Sequence, residues 1–238
     1  MSSNALRDRL DLLTPPLPWD KPRWVKREGA TVVLLHGLWR GYRAMAPLER
    51  ALGVEGFSTL NIPYPSPRFP VEELARRIAR QIGERAGGGE VAFVTHSLGG
   101  ILLRQMMTQD VPWSWGRCLM LAPPNGGSEI VDWLAGHPAL RGLLGPAGRS
   151  LGTKGLPAAL PSPPPDMEMA VIMGTRPKIP FFQSLLDSSN DGIVSTEKGR
   201  LPGVTRFAEV DSDHTFIQMH PETIRLARDF LRSGSWNP

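Results

Sequence analysis

Short apolar runs alternate with amphipathic stretches along this chain. Thr31 to Leu35, Phe57 to Ile62, Val91 to Val94, Cys118 to Leu121 and Met169 to Met173 are rich in branched residues, leucine or methionine and end at Gly, Pro or polar turns. Runs of this length predict strands, and the continuous apolar run from Thr31 to Leu35 predicts one buried on both faces, as in a parallel sheet. Between them, Arg43 to Leu52 sets Met45, Leu48, Ala51 and Leu52 at helical spacing, and Val71 to Ile82 sets Leu74, Ile78 and Ile82 on one face. Gly53 and the Gly87-Gly88-Gly89 run stop these two helices. Another helix starts at the Gly99-Gly100 pair, Val204 to Val210 alternates as a last strand, and Pro221 opens a final helix to Leu231. Strand and helix in regular alternation predict an α/β fold, a mostly parallel central sheet flanked by helices, with ligands bound at the carboxyl ends of its strands.

Two segments break the alternation. The first 30 residues hold a short helical pattern, Asn4 to Leu12, then a proline-rich stretch through Pro18 that forbids regular helix. This segment is expected along the domain edge, anchored by Trp19 and Trp24. Residues 129–166 contain a helical pattern from Ile130 to Leu144, interrupted at Pro138 and Gly142, and a Gly- and Pro-rich tail ending in Pro163-Pro164-Pro165. Such a segment is read as a small cap or lid, the alternative being a solvent-facing insertion with no gating role.

Composition narrows the picture. A chain of 238 residues is expected to form one domain, here taken as 1–238. The net charge is +4, but the basic residues are scattered, and between Val71 and Ala86 they alternate with Glu72, Glu73 and Glu84 as on a solvated helix face. Nucleic acid is therefore not an expected partner. Cys118 is the only cysteine and sits in an apolar run, which excludes an internal disulfide and predicts a buried thiol. The N-terminus lacks the continuous apolar core of a secretory signal, and no run reaches the ~20 residues of a membrane span. The expectation is a soluble, cytoplasmic protein without stable membrane insertion.

The chemistry gathers at the carboxyl ends of the apolar runs. At Thr95-His96-Ser97-Leu98-Gly99 a strand passes into a helix with no spacer, so Ser97 must turn sharply and project its hydroxyl beside the first helical amides. Ser97 is placed there equally well as a helix N-cap or as a nucleophile. The turn resembles the nucleophile elbow of the α/β-hydrolase superfamily, G-x-S-x-G, with Gly99 as its second glycine and Thr95 in place of the first. His36-Gly37, at the end of the first long run, resembles the oxyanion loop of lipases and esterases of this fold. Asp191-Gly192-Ile193-Val194 resembles their acid loop, and His214 follows the last strand.

The order Ser97, Asp191, His214 is that of the superfamily, and the resemblance to compact bacterial lipases and carboxylesterases implies a Ser-His-Asp triad that cleaves carboxylic esters through an acyl-enzyme. It implies an oxyanion hole made by the backbone N–H groups of Leu38 and Leu98, and an acyl pocket lined by Trp39 and Tyr42, with Met45 near them. The expected partner is a small-molecule or lipid ester, with no cofactor. Asp187, Asp211 and Asp213 are weaker candidates for the acid, because Asp213 adjoins His214 and Asp187 lacks the following Gly-Ile-Val. His36 and His96 flank the site without a third spaced ligand, so they are read as hydrogen-bonding residues around the two turns and not as metal ligands. His137 and His220 are read as surface residues. Acyl transfer by the same triad is the alternative within enzymes, and a hydrolase-fold ligand-binding protein without turnover is the alternative outside them.

Overall fold

In a computed structural model, described over residues 10–11, 13–165, 167–178, 185–186 and 189–236, seven strands form one sheet in the order β1-β3-β2-β4-β5-β6-β7. They are β1 (Arg23–Val25), β2 (Thr31–Leu35), β3 (Ser58–Ile62), β4 (Glu90–His96), β5 (Ser114–Leu121), β6 (Met169–Gly174) and β7 (Arg206–Val210). All neighbours run parallel except β1, which lies antiparallel on β3 with Arg23 opposite Asn61. The main helices are α1 (Ala46–Val54), α2 (Val71–Ala86), α3 (Leu98–Met106), α4 (Glu129–Gly136), α5 (Pro138–Arg149), α6 (Leu156–Ala159), α7 (Thr196–Gly199) and α8 (Pro221–Ser233).

Alternation along the strands sorts the core into two layers. Val33 and Leu35 of β2, with Phe93 and Met120, pack against Leu74, Ile78 and Ile82 of α2 and Ile101 of α3. Val32 and Leu34, with Val94 and Leu119, pack against Leu48 and Leu52 of α1 and Leu226 and Phe230 of α8. Each of these side chains is fully buried or nearly so and contributes ~1.5–3 kcal/mol of apolar burial. Cys118 lies inside the first layer, and burial raises its thiol pKa. From β2 the chain steps to β3 on one side and then to β4 on the other, so the carboxyl ends of β2 and β4 flank the point where the winding reverses.

Several expectations change. The N-terminal helix falls largely outside the described residues. The proline-rich segment leads into β1, and Trp24 packs against the first core layer while Trp19 is 70% exposed. Three residues are too few for a period-two signal to show. The 129–166 segment forms two helices, parted at His137 with Pro138 opening the second. The break inside α5 is at Gly145-Pro146, where φ is 61°, and not at Gly142. Gly145 lies against the Pro67 carbonyl, where any Cβ would collide. The last strand begins at Arg206, two residues after Val204. Among the described residues no helix is long and apolar enough to cross a membrane.

Candidate active site

Ser97 joins β4 to α3 at φ 52°, ψ −118°, a backbone conformation that costs ~1–3 kcal/mol and persists only when its surroundings enforce it. Its N–H donates to the Leu121 carbonyl at 2.9 Å, tying the turn to β5. Close packing does the rest. A Cβ on Gly99 would stand 2.6 Å from the Leu35 carbonyl, and one on Gly37 would stand 3.3 Å from the Ser97 Cβ. Thr95, which replaces the usual glycine, is fully buried and fits because residue 100 is also glycine, with room for its hydroxyl beside the helix.

The Ser97 hydroxyl donates to His214 Nε2 at 2.9 Å, and His214 Nδ1–H donates to Asp191 Oδ2 at 2.7 Å. The structure thus brings Ser97, His214 and Asp191 into one hydrogen-bonded chain. The Asp-Gly-Ile-Val pattern has a clear local cause: Gly192, at φ 96°, turns the backbone so that the Ile193 and Val194 N–H groups both reach Asp191 Oδ1, at 2.9 and 2.8 Å. With Oδ1 occupied in this way, Oδ2 is left for the imidazole. The alternative acids point elsewhere: Asp213 pairs with Lys178 at 2.7 Å, and Asp211 is exposed beside Arg176. Asp187 lies outside the described residues.

Two histidines brace the turns. His96 Nε2–H donates to the His214 carbonyl at 2.8 Å, linking the serine turn to the loop that carries His214. Burial, followed by the nearby His214, pushes the His96 pKa well below its ordinary value. His36 accepts from the Tyr64 N–H at Nε2 and donates from Nδ1 to the Gly37 carbonyl at 2.9 Å, with the Tyr64 ring stacked at 3.8 Å. Burial lowers its pKa to about 4. The Gly37 carbonyl accepts a second bond from the Arg40 N–H at 3.3 Å. In a trans peptide the N–H points opposite to the carbonyl, so these two bonds fix the direction of the Leu38 N–H. Among the described residues neither the Leu38 N–H nor the Leu98 N–H has an acceptor. Leu98 is the first residue of α3, whose leading amides have no intrahelical partner.

These groups open on a cavity of about 280 Å³ lined by Leu38, Trp39, Ser97 and His214 on the sheet side. Ile130, Val131 and Leu134 of α4, Leu144 of α5, and Ile193 and Val194 complete an apolar wall. Trp39 therefore lines the cavity, and Tyr42 does not: its carbonyl holds Asn61 and its ring carries the Arg43 guanidinium at 4.6 Å. Met45 is buried in the α1 layer of the core. Trp39, at φ 58°, also donates from its indole to the Leu143 carbonyl, a group released by the α5 kink. His137 is exposed and stacks on Trp133, whereas His220 caps α8 with Nδ1 buried.

Sequence reading did not find Arg104. This α3 residue is 3% exposed and donates to the carbonyls of Asn125 (3.2 Å), Pro157 (3.0 Å), Leu160 (2.8 Å) and Pro161 (3.3 Å). Prolines leave carbonyls without neighbouring N–H groups, and one guanidinium supplies the donors from inside. Burial lowers its pKa to about 10. The only sequence sign was an arginine within an otherwise apolar helix.

Residues 32–192 match the model of the alpha/beta hydrolase family, and the chain belongs to that family. No curated sequence matches the chain. Among solved structures it is similar to the mature form of the Bacillus licheniformis lipase BlEst2, at TM-score 0.64 and 18% identity over 90% of this chain and 98% of that one. It is also similar to an Exiguobacterium antarcticum esterase (TM-score 0.58, 13% identity, 89% of this chain and 95% of that one). For the Bacillus subtilis carboxylesterase CesB the TM-score is 0.51 at 15% identity, over 98% of this chain and 97% of that one. At these identities the likeness establishes the fold.

Proposed function

We propose that this protein is a serine hydrolase that cleaves carboxylic esters through an acyl-enzyme. The observation that carries the reading is the continuous chain from Ser97 Oγ through His214 to a buried Asp191. A serine hydroxyl is a weak nucleophile until a base accepts its proton, and the base must be held in one tautomer. His214 Nε2 takes the Ser97 proton as Oγ attacks the ester carbonyl, then returns it to the leaving alcohol. Asp191 keeps Nδ1 protonated and stabilises the imidazolium. The N–H groups of Leu38 and Leu98 receive the oxyanion, each such donor being worth about 3 kcal/mol in the transition state. Water then repeats the sequence on the acyl-enzyme.

The apolar wall supports an acyl group of limited length. A cavity of about 280 Å³ holds on the order of nine water-sized groups, so short to medium acyl chains fit and long ones protrude. Segment 129–166 acts in this reading as a cap that supplies the acyl subsite. The test is hydrolysis of p-nitrophenyl esters of increasing chain length by wild type and Ser97→Ala. The expected result is turnover by wild type with an optimum at short to medium chains, and a loss of about five orders of magnitude in the variant. Equal turnover by both proteins overturns the assignment of the nucleophile.

A further inference from the structure

Arg40 lines the cavity beside Ser97 and His214, and among the described residues its charge is unmatched. Its backbone N–H is used in the Gly37 turn. Among the described residues the guanidinium makes one hydrogen bond, a 3.4 Å contact from Nη1 to the Trp39 carbonyl of the preceding residue. Among the described residues no carboxylate pairs with it, and no Asp or Glu lines the cavity. Other cations near the site are matched, whatever their burial: half-buried Arg43 meets Asp20 at 2.9 Å, exposed Lys178 meets Asp213 at 2.7 Å, and buried Arg104 is surrounded by carbonyls. Arg40 is itself half-buried, and burial lowers its pKa. Taking a cation from water without a counter-charge is unfavourable.

A ligand that brings a negative oxygen group relieves that penalty, and the planar fork of arginine suits carboxylate and phosphate oxygens. We propose that the natural ester carries such an anionic oxyacid group, which pairs with Arg40 while the hydrocarbon part fills the apolar end of the cavity. This rests on the ester-hydrolase reading and names its substrate class. No covalent step is added: the anion is bound, and the bond cleaved remains the ester.

The experiment compares three esters of one acyl chain whose alcohols end in a neutral group, a carboxylate or a phosphate. They are tested on wild type, Arg40→Met and Arg40→Lys. The expected result is a kcat/KM preference of wild type for at least one anionic ester of about tenfold, falling with added salt. The preference collapses toward one in Arg40→Met and survives in part in Arg40→Lys. Whichever anion is favoured identifies the group. A preference that is the same in wild type and Arg40→Met, or a wild type that favours the neutral ester, overturns the proposal.

Binding separates this proposal from the reading beneath it. Ser97→Ala protein, with and without Arg40→Met, is titrated calorimetrically with octyl phosphate and with octanol. Tighter binding of the phosphate that depends on Arg40, together with no ester turnover by wild type, would remove the hydrolase and keep the anion site. Turnover of neutral esters with no Arg40-dependent preference in either assay would do the reverse.

Discussion

One wall of the cavity is made by the carboxyl ends of the strands, where Ser97, His214 and Leu38 are fixed by backbone bonds and by glycines with no room for a Cβ. The opposite wall is made by α4 and α5, which contribute apolar side chains and no catalytic candidate. The strand-end wall stores strain, at Ser97 and Trp39, and spends many hydrogen bonds to hold it. The helical wall is held by the Trp39 indole at its kink and by Asp132 of α4, which accepts from Thr153 beyond α5, while Arg104 ties down the segment that follows it. The difference suggests a division of labour: geometry needed for bond making is set by the sheet, while shape needed for choosing a substrate is set by an element that tolerates change.

Changes on the two walls are therefore expected to affect different measurements. The largest expected effect is from Asp191→Asn, which keeps an oxygen for the Ile193 and Val194 N–H groups but presents an amide to His214 Nδ1 and so favours the wrong tautomer. Ester turnover should fall by about four orders of magnitude with little change in Tm; a modest loss of rate would break the comparison on the sheet side. Arg104→Met should do the opposite, lowering stability by about 2–4 kcal/mol as carbonyls lose a charged donor while short-chain kcat changes little. Denaturant unfolding paired with kinetics reads both.

A third test concerns pH. His36 is held neutral, with its pKa lowered to about 4, whereas the unfolded imidazole titrates near ~6.5. Its contribution to stability is therefore complete above about pH 6.5 and is lost as pH falls toward 4, for a total on the order of 3 kcal/mol. His36→Gln should flatten the fall of the urea midpoint across that window, the remaining slope belonging in part to His96, whose pKa is also lowered. An unchanged slope would remove His36 from the acid response. The smallest effect is expected from Val131→Phe, which fills the helical wall. It should shift the chain-length optimum downward, with about a tenfold loss on the longest good substrate and near-normal rates on acetate. Equal losses on all chains would show that the two walls are not separable.

The parts of the fold legible in the sequence were those where one rule acts alone. Residues 32–35, 91–94 and 169–174 are buried on both sides of a parallel sheet, and apolar continuity reveals that directly, whereas β3 buries Ser58, Thr59 and Asn61 as well. Asp191 was marked by the Gly192-Ile193-Val194 that follows it, because that turn chemistry is local. What stayed hidden depends on distant partners. β1 exists because β3 offers it an edge, the α5 kink falls where Gly145 meets Pro67, and Arg104 and Arg40 differ only in what the rest of the chain places around them. Tyr42 and Met45 share a helical turn near the oxyanion loop, yet that turn faces the α1 layer and not the cavity.

The burial of Cys118 has a practical consequence. With its sole native thiol inside the core and protonated, the wild-type chain is already a quiet background for labelling. A cysteine introduced at exposed Leu143, on the helical wall beside the Trp39 indole, would take up a fluorophore or spin label alone. That one probe would report the surroundings of the helical wall in solution as an ester is added.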